Sequence, residues 1–86
     1  MTPIAAETLG LRALTWVVGQ SEVLDRFLLV SGLTGSELRA RAGEPSFLGA
    51  ILEHILANEQ LAKDFCTDEA LQPRDLHLAR HVLESA

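Results

Sequence analysis

The sequence predicts an all-α fold, a bundle of about six short helices in a single domain, and three observations predict it. Apolar residues recur at helical spacing along almost the whole chain. Residues that open and close helices punctuate it throughout: Thr2-Pro3, Thr34, Pro45 and Gln72-Pro73 at starts, Gly19, Gly32 and Gly43 at ends. β-branched residues are scattered and nowhere form the alternating run of a half-buried strand.

Helix one starts with Thr2 as cap and Pro3 as first residue, where proline's missing N–H costs nothing. It runs to about Val18, and Gly19 is placed to close it in the left-handed conformation. Ile4, Leu11, Leu14 and Val18 make its main apolar stripe, and Leu9 and Trp16, seven apart, make a second on another side. Ser21 is the expected cap of helix two, which carries Val23, Leu24, Phe27, Leu28 and Val30 before Ser31-Gly32. Thr34-Gly-Ser-Glu37 is a capping box, hydroxyl to the third amide and carboxylate back to the cap's own amide. Helix three is therefore short, about Gly35 to Ala42, with Leu38 as its anchor and Gly43 as its stop.

Helix four, opened by Pro45, is the most apolar stretch. At about 100° per residue, Ile51, Leu52 and Ile55 fall within roughly 60° of Leu48, a helix-core stripe. Phe47 and Leu56 widen it, and the small pair Gly49 and Ala50 makes the opposite face. Such a helix must be covered by others, which puts it at the centre. Asn58 caps a fifth helix carrying Leu61, Ala62 and Phe65. Gln72-Pro73 opens a sixth with Leu76, Ala79 and Leu83 inward.

A shift of 38 positions superposes Phe27 on Phe65, Leu14 on Leu52, Leu33 on Leu71, Leu38 on Leu76 and Glu37 on Asp75. The chain thus reads as two three-helix units, residues 2–43 and 44–84, packed face to face around helices one and four. Gly32 falls on Ala70. Alanine tolerates the left-handed conformation poorly, so a different or frayed end is expected for helix five. Leu28, Leu29 and Val30 fall on Cys66, Thr67 and Asp68, which gives the first unit extra apolar surface.

At 86 residues and 48% hydrophobic, the chain is long enough for one modest core. Twelve acidic residues against seven basic ones, net −5, weigh against binding a phosphate backbone. Cys66 is the sole cysteine, so no intrachain disulfide forms and a reducing compartment is expected. Met1-Thr-Pro-Ile has no basic region ahead of an apolar run, and no stretch approaches the ~20 apolar residues of a membrane span. A soluble, cytoplasmic protein that does not enter membranes is the expectation.

Candidate chemistry is sparse. His77 and His81 stand four apart on the last helix, a chelating spacing, but no further ligands complete a shell, so no metal is assigned. Cys66 sits among Asp64, Asp68 and Glu69, which raise a thiol's pKa, so it reads as a small buried hydrophobe. Glu53 and His54 are adjacent on a helix and diverge by about 100°, too far to act as an acid–base pair. Helices two and three, with Gly32 between and Arg39 and Arg41 following, have the outline of a helix-turn-helix. Leu28, however, stands where that motif normally needs a small residue. No phosphate loop, serine motif or carboxylate cluster is present, so no enzyme activity and no cofactor are expected.

The run Arg26-Phe-Leu-Leu-Val-Ser-Gly-Leu-Thr, the segment Leu38-Arg-Ala-Arg-Ala-Gly-Glu-Pro-Ser-Phe-Leu and the continuation to His54-Ile-Leu resemble a family of short, mostly alphaproteobacterial proteins, domain-of-unknown-function family 3572. The resemblance covers nearly the whole chain, most specifically Leu38 to Leu56, and differs in having Ala70 where glycine is expected before Leu71. It implies a small helical bacterial protein with no assigned activity and no site residues.

The leading expectation is a non-enzymatic helical module that binds another protein or forms a homodimer. The alternative is a nucleic-acid-associated regulator using helix two, the turn and helix three. The interaction surface is expected around Leu9, Trp16 and Leu29 on the first unit. Two accounts of it stay open. Trp16 is core, packed across the two units, or it lies partly exposed near Leu29 in a patch rimmed by Glu22, Asp25 and Arg26, as tryptophan often does at interfaces.

Overall fold

A computed structural model describes residues 1–85 and places six α-helices and no strand among them: α1 (Pro3–Val18), α2 (Ser21–Ser31), α3 (Gly35–Arg41), α4 (Pro45–Leu56), α5 (Glu59–Glu69) and α6 (Pro73–Glu84). The caps explain most of the boundaries. Thr2 Oγ1 accepts from the Ala5 amide at 3.1 Å, and Asn58 Oδ1 accepts from the Leu61 amide at 3.0 Å. At α3 the box is complete, with Thr34 Oγ1 accepting from Glu37 N and Glu37 Oε1 accepting from Thr34 N, each at 3.2 Å. At α6, Asp75 Oδ2 accepts from Gln72 N at 3.0 Å. Each bond satisfies an amide that the first helical turn leaves without a partner.

Three local expectations are corrected. Gln20, not Ser21, is the N-cap of α2, and no side chain caps it. Gly19 ends α1 at φ −73°, a right-handed conformation, because the chain enters α2 directly through an extended Gln20 and has no left-handed step to make. Ala70 does take the left-handed conformation, φ 55°, like Gly32 at φ 74°. Helix α5 therefore ends as α2 does, with the Ala70 amide donating to the Cys66 carbonyl as Gly32 donates to Leu28.

The 38-residue shift carries the bounds of α2 onto those of α5, the end of α1 onto the end of α4, and the start of α3 onto the start of α6. The third helices differ. Helix α3 stops at Arg41, whereas α6 continues to Glu84 and lies against both α1 and α4. The centre is therefore the trio α1, α4 and α6, with α2 and α5 flanking it and α3 at the margin. Ile51, Leu52 and Ile55 are fully buried there, as is Leu76 of α6. Gly49, expected on the outer face of α4, is buried instead, with Leu83 of α6 packed over it.

Helix α1 faces inward with Ala6, Leu9, Gly10, Ala13, Leu14 and Val17. Of the expected main stripe only Leu14 is buried; Ile4, Leu11 and Val18 are exposed. The reason is the closeness of the α1–α4 crossing, where a Cβ added to Gly10 would stand 2.8 Å from Leu48 Cβ. Only small side chains fit a contact that tight, so the Ala-Gly-Ala face turns in and the larger aliphatics turn out. Among the described residues no helix is long and apolar enough to cross a membrane.

Candidate functional site

The three residues expected to form an interaction surface separate in the fold. Leu9 is 5% exposed and belongs to the core, so it presents nothing to a partner. Trp16 is half-buried on the side of α1 that faces α5. Its ring meets Phe65 edge-on at 5.2 Å, and Nε1–H donates to Asp68 Oδ2 at 2.8 Å. Leu29 is 83% exposed, beside Val30 at 69%, as its place among Glu22, Asp25 and Arg26 implies. The groove beside Trp16 is lined by Thr8, Leu11, Arg12, Thr15 and Glu69, and Leu29 takes no part in it. Trp16 is therefore anchored toward α5, and the rim expected around it belongs elsewhere: Glu22 and Arg26 border a second groove with His54 and Asn58.

The surface that sequence reasoning missed is the outer face of α1. Ile4, Leu11 and Val18 are 77%, 46% and 47% exposed, one below the other at seven-residue spacing. Thr8 and Thr15 stand between them, and their hydroxyls donate to the Ile4 and Leu11 carbonyls, each at 2.9 Å. Both hydroxyls are thus occupied within the helix and ask nothing of a partner. The strict seven-residue period of 4, 11 and 18, against the small residues 6, 10 and 13, was the available signal. Arg12 closes one border of this face. Its Nε donates to Glu69 Oε1 at 3.2 Å and its Nη2 to the Glu69 backbone carbonyl at 2.7 Å, tying α1 to the carbonyl-rich end of α5.

The other candidates fall apart chemically. His54 is half-buried and packs edge-on against Phe27 at 5.1 Å, while Glu53 is exposed on another side of α4. Burial, and then the Arg26 guanidinium nearby, hold the His54 imidazole below its usual pKa of 6.5. Cys66 is 7% exposed, and burial first, then Asp75, push its thiol upward. A thiol so shifted is a poor source of thiolate. His77 and His81 are exposed on α6, and among the described residues no three His, Cys, Asp or Glu side chains converge as metal ligands.

In the α2–turn–α3 segment, α3 has seven residues and buries only Leu38. Arg41 is engaged within the fold, its Nε on Glu44 Oε1 at 3.1 Å and its guanidinium 5.4 Å over the Phe47 ring. Arg39 is exposed.

With the fold and its surfaces in place, the comparison with family models is decisive over residues 4–86, where the match is to a family described as Protein of unknown function (DUF3572). The chain belongs to the DUF3572 family. Neither the curated proteins nor the solved structures contain a match to it.

Proposed function

We propose that this DUF3572 chain is a non-enzymatic helical module of the cytoplasm that binds another protein or itself through exposed aliphatic side chains. The observation that carries the reading is the outward placement of Ile4, Leu29 and Val30, 77%, 83% and 69% exposed, on a domain whose core is already closed. Among the described residues that core contains no buried polar or charged residue, and burial, then Asp75, raise the pKa of its one cysteine thiol. Exposed aliphatics gain free energy only when something covers them. The nucleic-acid alternative draws less support, since the net charge is −5 and α3, the would-be recognition helix, has seven residues.

The test is affinity capture from the native cell with wild type beside Leu29→Glu and Leu11→Glu, each variant first shown to melt as wild type does. Proteins retained by wild type and lost by either variant support the reading. Equal retention by all three would place the working surface elsewhere. Salt-dependent retention on DNA would instead favour the regulator.

A further inference from the structure

On the exposed face of α1, Ile4, Thr8, Leu11, Thr15 and Val18 follow one another at alternating steps of four and three residues. That spacing is the seam of a two-stranded coiled coil, with Ile4, Leu11 and Val18 at d positions and the two threonines at a. The threonines share only β-branching with the Ile and Val preferred at a, and their hydroxyls are bonded within the helix; leucine holds the central d, between Ile4 and Val18. The seam lies roughly 150° around α1 from the centre of the face that packs on α4 and α6, taking about 100° per residue; Leu14, at the second g position, belongs to that buried face, and Glu69 of α5 borders the seam on the Arg12 side.

The charges beside the seam decide what covers it. In this register Glu7 occupies g and Arg12 occupies e, one on each border. When two identical helices run parallel, each g residue meets the e residue five positions further along the other strand. Glu7 of each copy then faces Arg12 of the other, twice over. Running antiparallel, Glu7 would face Glu7 and Arg12 would face Arg12. Arg12 keeps donors free for such a pair, because a guanidinium carries five N–H groups and the bonds to Glu69 use only Nε and one Nη2 hydrogen.

We infer that two copies of this chain associate through α1 as a parallel two-stranded coiled coil, Ile4, Thr8, Leu11, Thr15 and Val18 in the seam, with reciprocal Glu7–Arg12 pairs. This rests on the reading of the domain as an interaction module and names its partner as a second copy. The helix is 16 residues, about 24 Å, so the contact is smaller than a standard interface and the dimer is concentration-dependent.

The experiment is sedimentation equilibrium over a concentration series reaching about 1 mM, the range that a contact of about −4 kcal/mol requires. Wild type is expected to rise from 9.4 kDa toward twice that mass, and Leu11→Glu to stay at 9.4 kDa with its unfolding midpoint kept. Ile4→Glu, at the most exposed seam position, is the second variant and is read in the same way. Orientation is read by oxidising Ile4→Cys in a Cys66→Ala background. A parallel pair brings the two introduced thiols within disulfide reach, whereas an antiparallel pair sends them to opposite ends. Wild type monomeric throughout, or a dimer that survives both glutamates, overturns the inference, as does a dimer that cross-links only when Ile4→Cys is mixed with Val18→Cys. The broader module reading is judged separately by the capture experiment, where loss through Leu29→Glu alone would sustain it without α1.

Discussion

Gly10 and Leu48 stand 38 positions apart, and they touch: a Cβ on Gly10 would lie 2.8 Å from the Cβ of Leu48. Each is the other's counterpart under the shift that relates the halves of the chain. A position meeting its own counterpart marks a local twofold axis, as in an isologous contact between subunits. The relationship extends outward. Trp16 packs on Phe65 at 5.2 Å, and the counterpart pair His54 and Phe27 packs at 5.1 Å. It breaks where the chemistry differs, since Asp68 accepts from the Trp16 indole while its counterpart Val30 offers His54 no acceptor.

Gly10→Ala sets helix propensity against sterics. Alanine would favour an isolated helix by about 1 kcal/mol, but overpacking a tight contact costs about 1–3 kcal/mol. The obstructing atom is a Cβ fixed to the α4 backbone, so it cannot swing aside, and net destabilisation is expected. Gly49→Ala is the control, because its Cβ would meet Leu83 Cβ at an ordinary 3.5 Å. Urea midpoints should fall for the first and rise or hold for the second. A stabilised Gly10→Ala would mean that α1 and α4 separate readily.

Leu52→Ala removes a fully buried side chain from the central helix. A loss of about 2–5 kcal/mol is expected, much of the stability of so small a domain. Chemical denaturation measures it, and an unmoved midpoint would displace α4 from the centre.

The two helix ends beside α3 and α6 offer opposite changes. Ala70→Gly should stabilise by about 1 kcal/mol, because a left-handed alanine at φ 55° costs roughly 1–2 kcal/mol and the more flexible unfolded glycine returns part of it. Thr34→Ala should cost about 1 kcal/mol, since Thr34 Oγ1 caps the Glu37 amide. Thermal melts of the two variants should bracket wild type.

His54 makes stability depend on mildly acidic pH. Its folded pKa lies below the unfolded 6.5, by burial first and Arg26 second, so protonation favours the unfolded chain. Well above 6.5 the residue is neutral in both states and contributes no slope. As pH falls through 6.5 toward the depressed folded value, stability drops, because the unfolded state binds the additional proton. Melting temperatures taken from about pH 7.5 to 5.5 should decline in wild type and less in His54→Gln, above the range where carboxylates dominate. Parallel curves would mean that the imidazole is as well hydrated folded as unfolded.

Local chemistry was legible in the sequence, and long-range closeness was not. Thr2, Thr34 and Asn58 cap their helices by bonds spanning three residues, so the sequence alone placed them. The aliphatic stripe of α4 was equally plain, because a helix apolar on nearly every side has only the centre to occupy. Helix α1 carried apolar residues on two faces, and periodicity weighted the larger ones, Ile4, Leu11 and Val18, as the inner set. The tertiary structure chose Ala6, Gly10 and Ala13 beside Leu9, Leu14 and Val17, since a 2.8 Å approach to Leu48 admits only small side chains. The same contact turned Ile4, Leu11 and Val18 to the surface, sent Leu9 into the core and fixed Trp16 on Phe65 and Asp68. Ala70 shows the same division: its side chain argued against a left-handed turn, and the packing of α5 and α6 on the core imposed one. Sequence determines what each segment prefers locally, whereas which face is buried depends on how closely two backbones approach, a quantity that exists only once the helices are packed.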